Sequence, residues 1–218
     1  MPNCFDTVIF DLDGTLLDSL DDLADSVNQA LAKCGFPRFT RKEIRGFVGN
    51  GADELIRSTL PQGASRVDYD SVYKLFIEIY TMNMCNKTQP YLGIPELLAE
   101  LCGRNIKMAV VSNKPQHAVS LLMTDYFDDL ITVALGADAN TPKKPDPAGL
   151  IKAMTQLGTS PERTIYMGDS EIDIVTAKNA NVFSVGCTWG FRDRAVLAIE
   201  KPDAIIESPL DILPILEK

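Results

Sequence analysis

Asp11 and Asp13 flank a single leucine at the end of the apolar run Val8-Ile9-Phe10, and Gly14 and Thr15 follow them directly. An apolar β-type run ending in two acids and a glycine turn is how a sheet presents carboxylates at its edge. At neutral pH a carboxylate needs no deprotonation to attack an electrophile, so Asp11 has the chemistry of a nucleophile and Asp13 that of a proton carrier. Gly14 permits backbone angles that other residues resist, and Thr15 adds a hydroxyl beside the acids. Asp and Gly are also ordinary turn residues, so this pair acquires meaning from what accompanies it.

Three further strand ends carry chemistry. Met108 to Val111 runs into Ser112-Asn113-Lys114, a hydroxyl and an amide suited to phosphoryl oxygens, although Ser112 could equally cap a helix starting after Pro115. After Leu135, the lysine pair Lys143-Lys144 stands between Pro142 and Pro145, whose rigid backbone lets an ammonium be aimed at an anion. Thr164 to Met167 runs into Gly168-Asp169-Ser170-Glu171-Ile172-Asp173; a helix starting there points Asp169 and Asp173 to one side. With Asp11 and the main-chain carbonyl of Asp13, these acids can form an all-oxygen site of the kind that favours Mg²⁺. Acids at a helix start also have a plainer role in complementing its dipole.

The elements that must position these groups are legible as periodicities. Helical spacing covers Leu20 to Leu31, Arg41 to Phe47, Asp53 to Leu60 and about Val67 to Met84, with GNGA at Gly49 to Ala52 as a break. Ser19 or Asp18 is the expected cap of the first helix. From Pro90 onward, strand runs at Lys107 to Val111, Ile131 to Leu135, Thr164 to Met167, Phe183 to Val185 and Ala204 to Ile206 alternate with helices. Those helices cover about Pro95 to Leu101, Gln116 to Met123, Asp146 to Leu157 and Glu171 to Asn179. Such alternation predicts βαβ units and a doubly wound parallel sheet, an α/β fold whose first strand is followed by an all-helical insert. In open sheets of this kind ligands bind at the carboxyl ends of the strands.

The bulk properties narrow the function. At 218 residues and 45% hydrophobic composition the chain can hold a sizeable core. Its formal charge of −9, with no Lys/Arg run, argues against nucleic acid and anionic membrane as partners. Cys4, Cys34, Cys85, Cys102 and Cys187 are scattered, and the single histidine, His117, completes no zinc pattern. The thiols are expected to be free in a reducing compartment. With no signal-like amino terminus and no apolar run of the ~20 residues a membrane span needs, the expected location is the cytoplasm. The sequon Asn86-Lys87-Thr88 then has no glycosylation meaning. Gly49-Asn50-Gly51 follows no strand, which excludes it as a dinucleotide fingerprint.

Acidic and basic motifs on four strand ends, in the order Asp-x-Asp, Ser, Lys and Gly-Asp-x-x-x-Asp, resemble the haloacid dehalogenase-like superfamily. The stretches DLDGTLLDS, FVGNGA, VSNKP, KPDP and YMGDSEID resemble its phosphoglycolate phosphatase group in particular. The resemblance implies a Rossmann-like core over residues 1–16 and 87–218 with a helical cap over 17–86. It implies a phosphoric monoester hydrolase in which Asp11 takes the phosphoryl group and Asp13 first protonates the leaving alcohol, then activates water. Ser112 and Lys144 would hold the transferring oxygens, and Mg²⁺ would be held by Asp11, Asp13 through its carbonyl, and Asp169, with Asp173 on metal-bound water or orienting Lys144. Lys144, preceding a proline, is preferred over Lys143. Thr15, Asn113, Arg45, Gly49, Asn50 and Gly51 are the expected substrate-binding residues, with Arg45 a candidate for a carboxylate or second phosphate and His117 a surface helix residue.

The substrate implied is a small phosphorylated metabolite such as 2-phosphoglycolate, for a monomer or homodimer. Alternatives within the superfamily are pyrophosphate, sugar phosphates, nucleoside monophosphates and a phosphomutase reaction; Asp13 argues against a dehalogenase. A phosphorylation-dependent receiver switch is the reading from another class, opposed by the helical insert and the early acceptor.

Overall fold

A computed structural model describes residues 5–127, 130–138 and 141–217; Cys4 lies outside them. Every residue of β1 (Thr7–Phe10) is buried, because other strands flank it on both sides and helices cover both faces. After it come β2 (Leu17–Asp18), helices α1 (Leu20–Lys33), α2 (Arg41–Phe47), α3 (Ala52–Thr59) and α4 (Arg66–Asn83), and then β3 (Gln89–Pro90). The rest of the chain alternates: α5 (Ile94–Gly103), β4 (Lys107–Pro115), α6 (Gln116–Tyr126), β5 (Val133–Ala137), α7 (Ala148–Leu157), β6 (Thr164–Gly168), α8 (Glu171–Asn179), β7 (Phe183–Cys187), α9 (Arg194–Ile199) and β8 (Ala204–Ile206).

β1, β4, β5, β6, β7 and β8 form one parallel sheet in the order β5-β4-β1-β6-β7-β8. The pleat divides β1 between two cores. Val8 and Phe10 join residues of α5, α6 and the helical insert on one face, while Ile9 joins Leu150, Ala153 and Met154 of α7 and Ala177 of α8 on the other. Helices on both faces make the sheet doubly wound. Its order places β4 and β6 on opposite sides of β1, with Phe10 level with Val110 and Met167. The carboxyl ends of these three strands therefore meet where the strand order reverses, the position where open α/β sheets form ligand sites.

The insert is tied off by an element too short for sequence periodicity to register. Leu17 pairs with Pro90 and Asp18 with Gln89, an antiparallel ribbon of two residues on each side. The buried Asp22 carboxylate strengthens this stem by accepting from the Lys87 and Thr88 amides and the Thr88 hydroxyl. Within the insert, Thr40 with Glu43 and Ser65 with Asp68 form reciprocal capping boxes that start α2 and α4.

Several boundaries differ from the sequence expectation. β4 continues through Ser112-Asn113-Lys114 to Pro115, β5 lies two residues later than expected, and α7 starts at Ala148, whose amide is taken by the Asp146 side chain. Ser19 occupies the N-cap position of α1 but makes no capping bond; its hydroxyl donates to Asp13 instead. Helix α9 had no clear periodic signal over its six residues. Among the described residues no helix is long and apolar enough to cross a membrane.

Candidate active site

The turn after β1 is organised by one carbonyl. Leu12 O accepts from the amides of Thr15, Leu16 and Leu17, and the Asp11 amide donates to Met167 O on β6. Gly14 sits at φ +89°, and a Cβ on it would lie 2.4 Å from an Asp169 carboxylate oxygen. Glycine is thus required twice here, for the backbone angle and for the close approach of two strand ends.

Asp11, Asp169 and Asp173 converge so that one carboxylate oxygen from each lies within 4.8 Å of the others. Against these three acids stands Lys144. Its ammonium is 2.7 Å from Asp173 Oδ1, 3.0 Å from the Tyr166 hydroxyl and 2.8 Å from Asp11 Oδ1. Asp173 serves two purposes: its Oδ2 accepts from the Ser170 amide and hydroxyl in the capping box of α8, while its Oδ1 takes the lysine. One oxygen thus starts the helix and the other faces the lysine.

Asp169 is held from behind. The Phe191 amide donates to Oδ2 at 2.6 Å and the Thr15 hydroxyl to Oδ1 at 3.3 Å. Burial pushes its carboxyl well above the usual range, Asp173 and Asp11 push it further, and the Phe191 amide and Lys144 offset this in part. Burial likewise raises Asp11 to about 6, against the pull of Lys144. For Lys144 burial works against the charge, but Asp11 and Asp173 outweigh it and the ammonium is stabilised. One lysine, 2.8 Å from Asp11 Oδ1 and 2.7 Å from Asp173 Oδ1, is set against three buried carboxylates. An all-oxygen acidic set with surplus negative charge fits a hard divalent cation such as Mg²⁺.

Asp13 faces a different set of partners. Its Oδ1 accepts from the Ser19 hydroxyl at 2.5 Å, and the Lys114 ammonium lies 2.8 and 2.9 Å from its two oxygens. Lys114 also donates to the Tyr80 hydroxyl at 2.6 Å, and its ammonium lies 4.7 Å from the centre of the Tyr80 ring. Lys114 stands within VSNKP and has no role assigned from the sequence. The signal was available, since strand alternation carried past Val111 puts residues 112 and 114 on one face.

A cleft opens between the sheet edge and the insert, with Asp11, Asp13, Ser112, Asn113, Lys114 and Lys144 among its lining. Gly49 and Gly51 line it from the insert side. Asn113 joins the two sides: its amide nitrogen donates to Gly49 O and Lys144 O, and its oxygen accepts from the Lys144 amide. It thereby fixes the backbone of the lysine facing Asp11.

Three expected substrate contacts are placed elsewhere. Arg45 is turned away from the cavity, donating to Gly190 O at 3.1 Å and pairing with Asp193 at 3.3 Å, because the apolar face of α2 buries the adjacent Ile44. Asn50 is exposed and outside the lining, and Thr15 is fully buried beneath Asp169. Arg45 instead belongs to a reciprocal clasp: Arg192 donates to Arg45 O and Val48 O while pairing with Glu171. His117 is exposed at the cavity, and Lys143 is exposed where Lys144 is buried.

Residues 8–187 match the family described as haloacid dehalogenase-like hydrolase. The chain belongs to that family. A phosphoglycolate phosphatase of Mannheimia succiniciproducens is 35% identical over 224 residues, covering 99% of this chain and 100% of its own. One from Pseudomonas putida KT2440 is 34% identical over 213 residues, covering 95% of this chain and 78% of its own. A crystal structure of a predicted phosphoglycolate phosphatase from Haemophilus somnus 129PT superposes with a TM-score of 0.91 at 32% identity, covering 97% of both chains. Within the haloacid dehalogenase-like hydrolases this chain therefore falls in the phosphoglycolate phosphatase-like group, as a phosphoric monoester hydrolase.

Proposed function

We propose that this hydrolase is a Mg²⁺-dependent phosphatase of 2-phosphoglycolate or a closely similar small phosphomonoester, working through an aspartyl-phosphate on Asp11. The observation that carries the reading is the division of partners between two neighbouring carboxylates: Asp11 faces Lys144 and the acidic cluster, whereas Asp13 faces Ser19 and Lys114. The named relatives support the substrate class.

In this reading an Asp11 oxygen forms a bond to phosphorus as the bond from phosphorus to the leaving alcohol breaks, and protonated Asp13 gives its proton to the departing oxygen. Asp13, now a carboxylate, takes a proton from water; the water oxygen bonds to phosphorus, inorganic phosphate departs and Asp11 is restored. Lys144 and Ser112 hold the transferring oxygens, and Asn113 keeps Lys144 in place. Asp11, Asp169 and the Asp13 carbonyl would hold Mg²⁺, with Asp173 beside them orienting Lys144; the ion supplies neutralisation of charge between carboxylate and phosphoryl group. The helical insert forms a cap that closes the far side of the cavity. The scattered cysteines fit a cytoplasmic enzyme, acting as a monomer or homodimer.

The test is a panel of phosphorylated metabolites, including 2-phosphoglycolate, sugar phosphates and pyrophosphate, ranked by kcat/KM with and without Mg²⁺. The reading expects Mg²⁺-dependent turnover with 2-phosphoglycolate at the top. A flat ranking, or one led by pyrophosphate, contradicts it.

A further inference from the structure

Lys114 is as deeply buried on the cavity as the lysine assigned to phosphate: 3% of its side chain is exposed, beside 4% for Lys144 and 14% for Asp13. A lysine this deep is costly unless its charge is used, and in the family chemistry above it touches no phosphoryl oxygen. Its surroundings state what it faces. Toward the insert, the cavity is walled by Leu23, Val48, Leu55, Phe76 and Ile77, with Thr81 and His117 exposed at its margin. Such walls offer little to the hydroxyls of a sugar, while a buried ammonium beside them suits a compact anion.

The distance between Lys114 and Asp13 sets the position of that anion. The leaving oxygen must come within hydrogen-bond reach of Asp13, roughly 2.6–3.2 Å. The Lys114 nitrogen lies 2.8 and 2.9 Å from the Asp13 oxygens, so a group two bonds beyond the leaving oxygen reaches the ammonium when that oxygen meets Asp13. In a phosphate ester of a 2-hydroxy acid, the carboxylate carbon stands at that separation. Lys114 spends two contacts on the one Asp13 carboxylate, so exchanging one for a substrate carboxylate leaves its hydrogen-bonding capacity filled. The Tyr80 hydroxyl accepts from Lys114 and keeps its own proton available for the same anion.

We infer that Lys114, steadied by Tyr80, is the specificity-determining residue of this enzyme, receiving the carboxylate of a short 2-hydroxy-acid phosphate while the same ammonium holds Asp13 toward the leaving oxygen. This rests on the phosphatase reading and adds the residue by which the leaving group is recognised.

The experiment compares kcat/KM for 2-phosphoglycolate and for 2-hydroxyethyl phosphate, which replaces the carboxylate by an alcohol, in the wild type, Lys114→Met and Lys114→Gln, with p-nitrophenyl phosphate as a generic substrate. The wild type is expected to prefer the carboxylate at least tenfold, and both variants to lose about 10- to 100-fold of that preference, the worth of a hydrogen bond to a charged group. Equal losses on both substrates would reduce Lys114 to a support for Asp13 and overturn the inference. Absence of any carboxylate preference in the wild type overturns it without recourse to a variant. Failure of the underlying reading is visible separately, as p-nitrophenyl phosphate turnover that survives Asp11→Asn.

Discussion

Lys144 and Asp173 form a 2.7 Å ion pair whose side chains are 4% and 1% exposed, and the same ammonium lies 2.8 Å from Asp11. Removing one partner of such a pair leaves a buried charge uncompensated, which costs about 3–5 kcal/mol. Lys144→Ala is therefore expected to lower the unfolding free energy by that amount and to abolish turnover, whereas Lys143→Ala, at an exposed position, should change stability by less than about 0.5 kcal/mol. Urea titration of both variants checks this; equal effects would contradict the placement of the pair.

Gly14→Ala introduces a methyl group that would sit 2.4 Å from an Asp169 oxygen, at a backbone angle of φ +89°. The expected outcome is loss of about 2 kcal/mol or more of stability together with loss of metal-dependent activity, because Asp169 must move to admit it. Retention of wild-type Mg²⁺ affinity, measured by calorimetry, would contradict it.

Arg192 holds two carbonyls of the insert, Arg45 O and Val48 O, against the sheet edge. Arg192→Ala leaves both without that donor, at a cost of about 1–3 kcal/mol. Amide hydrogen exchange should accelerate at residues 46–51 and stay unchanged in the middle of α1. Uniform exchange across both regions would remove the clasp as a determinant of how the insert is held.

Burial raises the Asp11 carboxyl from its ordinary 3.8 to about 6, with Lys144 opposing and Asp173 and Asp13 adding to the shift. The metal-free folded protein therefore binds more protons than the unfolded chain between roughly pH 4 and pH 6, and this contribution to stability falls as pH rises through that window. A bound cation requires the deprotonated acids, so the rise in Tm on adding saturating Mg²⁺ should be larger at about pH 7.5 than at about pH 5. Thermal melts at the two pH values check the sign, and an equal rise at both contradicts it.

Much of this architecture was legible because fully buried parallel strands leave continuous apolar runs in the sequence. Val8-Ile9-Phe10 and Thr164 to Met167 were recognisable in this way, and their acidic termini marked the sheet edge. What was missed depends on residues brought together from far along the chain. Lys114 meets Tyr80 and Asp13, and Arg192 meets Arg45 and Val48, through pairings with no local period. The β2–β3 stem is too short to alternate. Arg45, a candidate for a carboxylate or second phosphate from the family resemblance, bonds Gly190 O and Asp193 instead, on the side of α2 away from the buried Ile44.

Asp11 is the residue on which the proposed aspartyl-phosphate would form. Acid quenching during steady-state turnover of 2-phosphoglycolate with Mg²⁺, followed by peptide mass spectrometry, should find the mass of one phosphoryl group on the peptide containing Asp11. Asp11→Asn, folded by circular dichroism, should lack that mass and turn over at least about a thousandfold more slowly. Phosphate on another residue, or undiminished turnover in Asp11→Asn, would contradict the account.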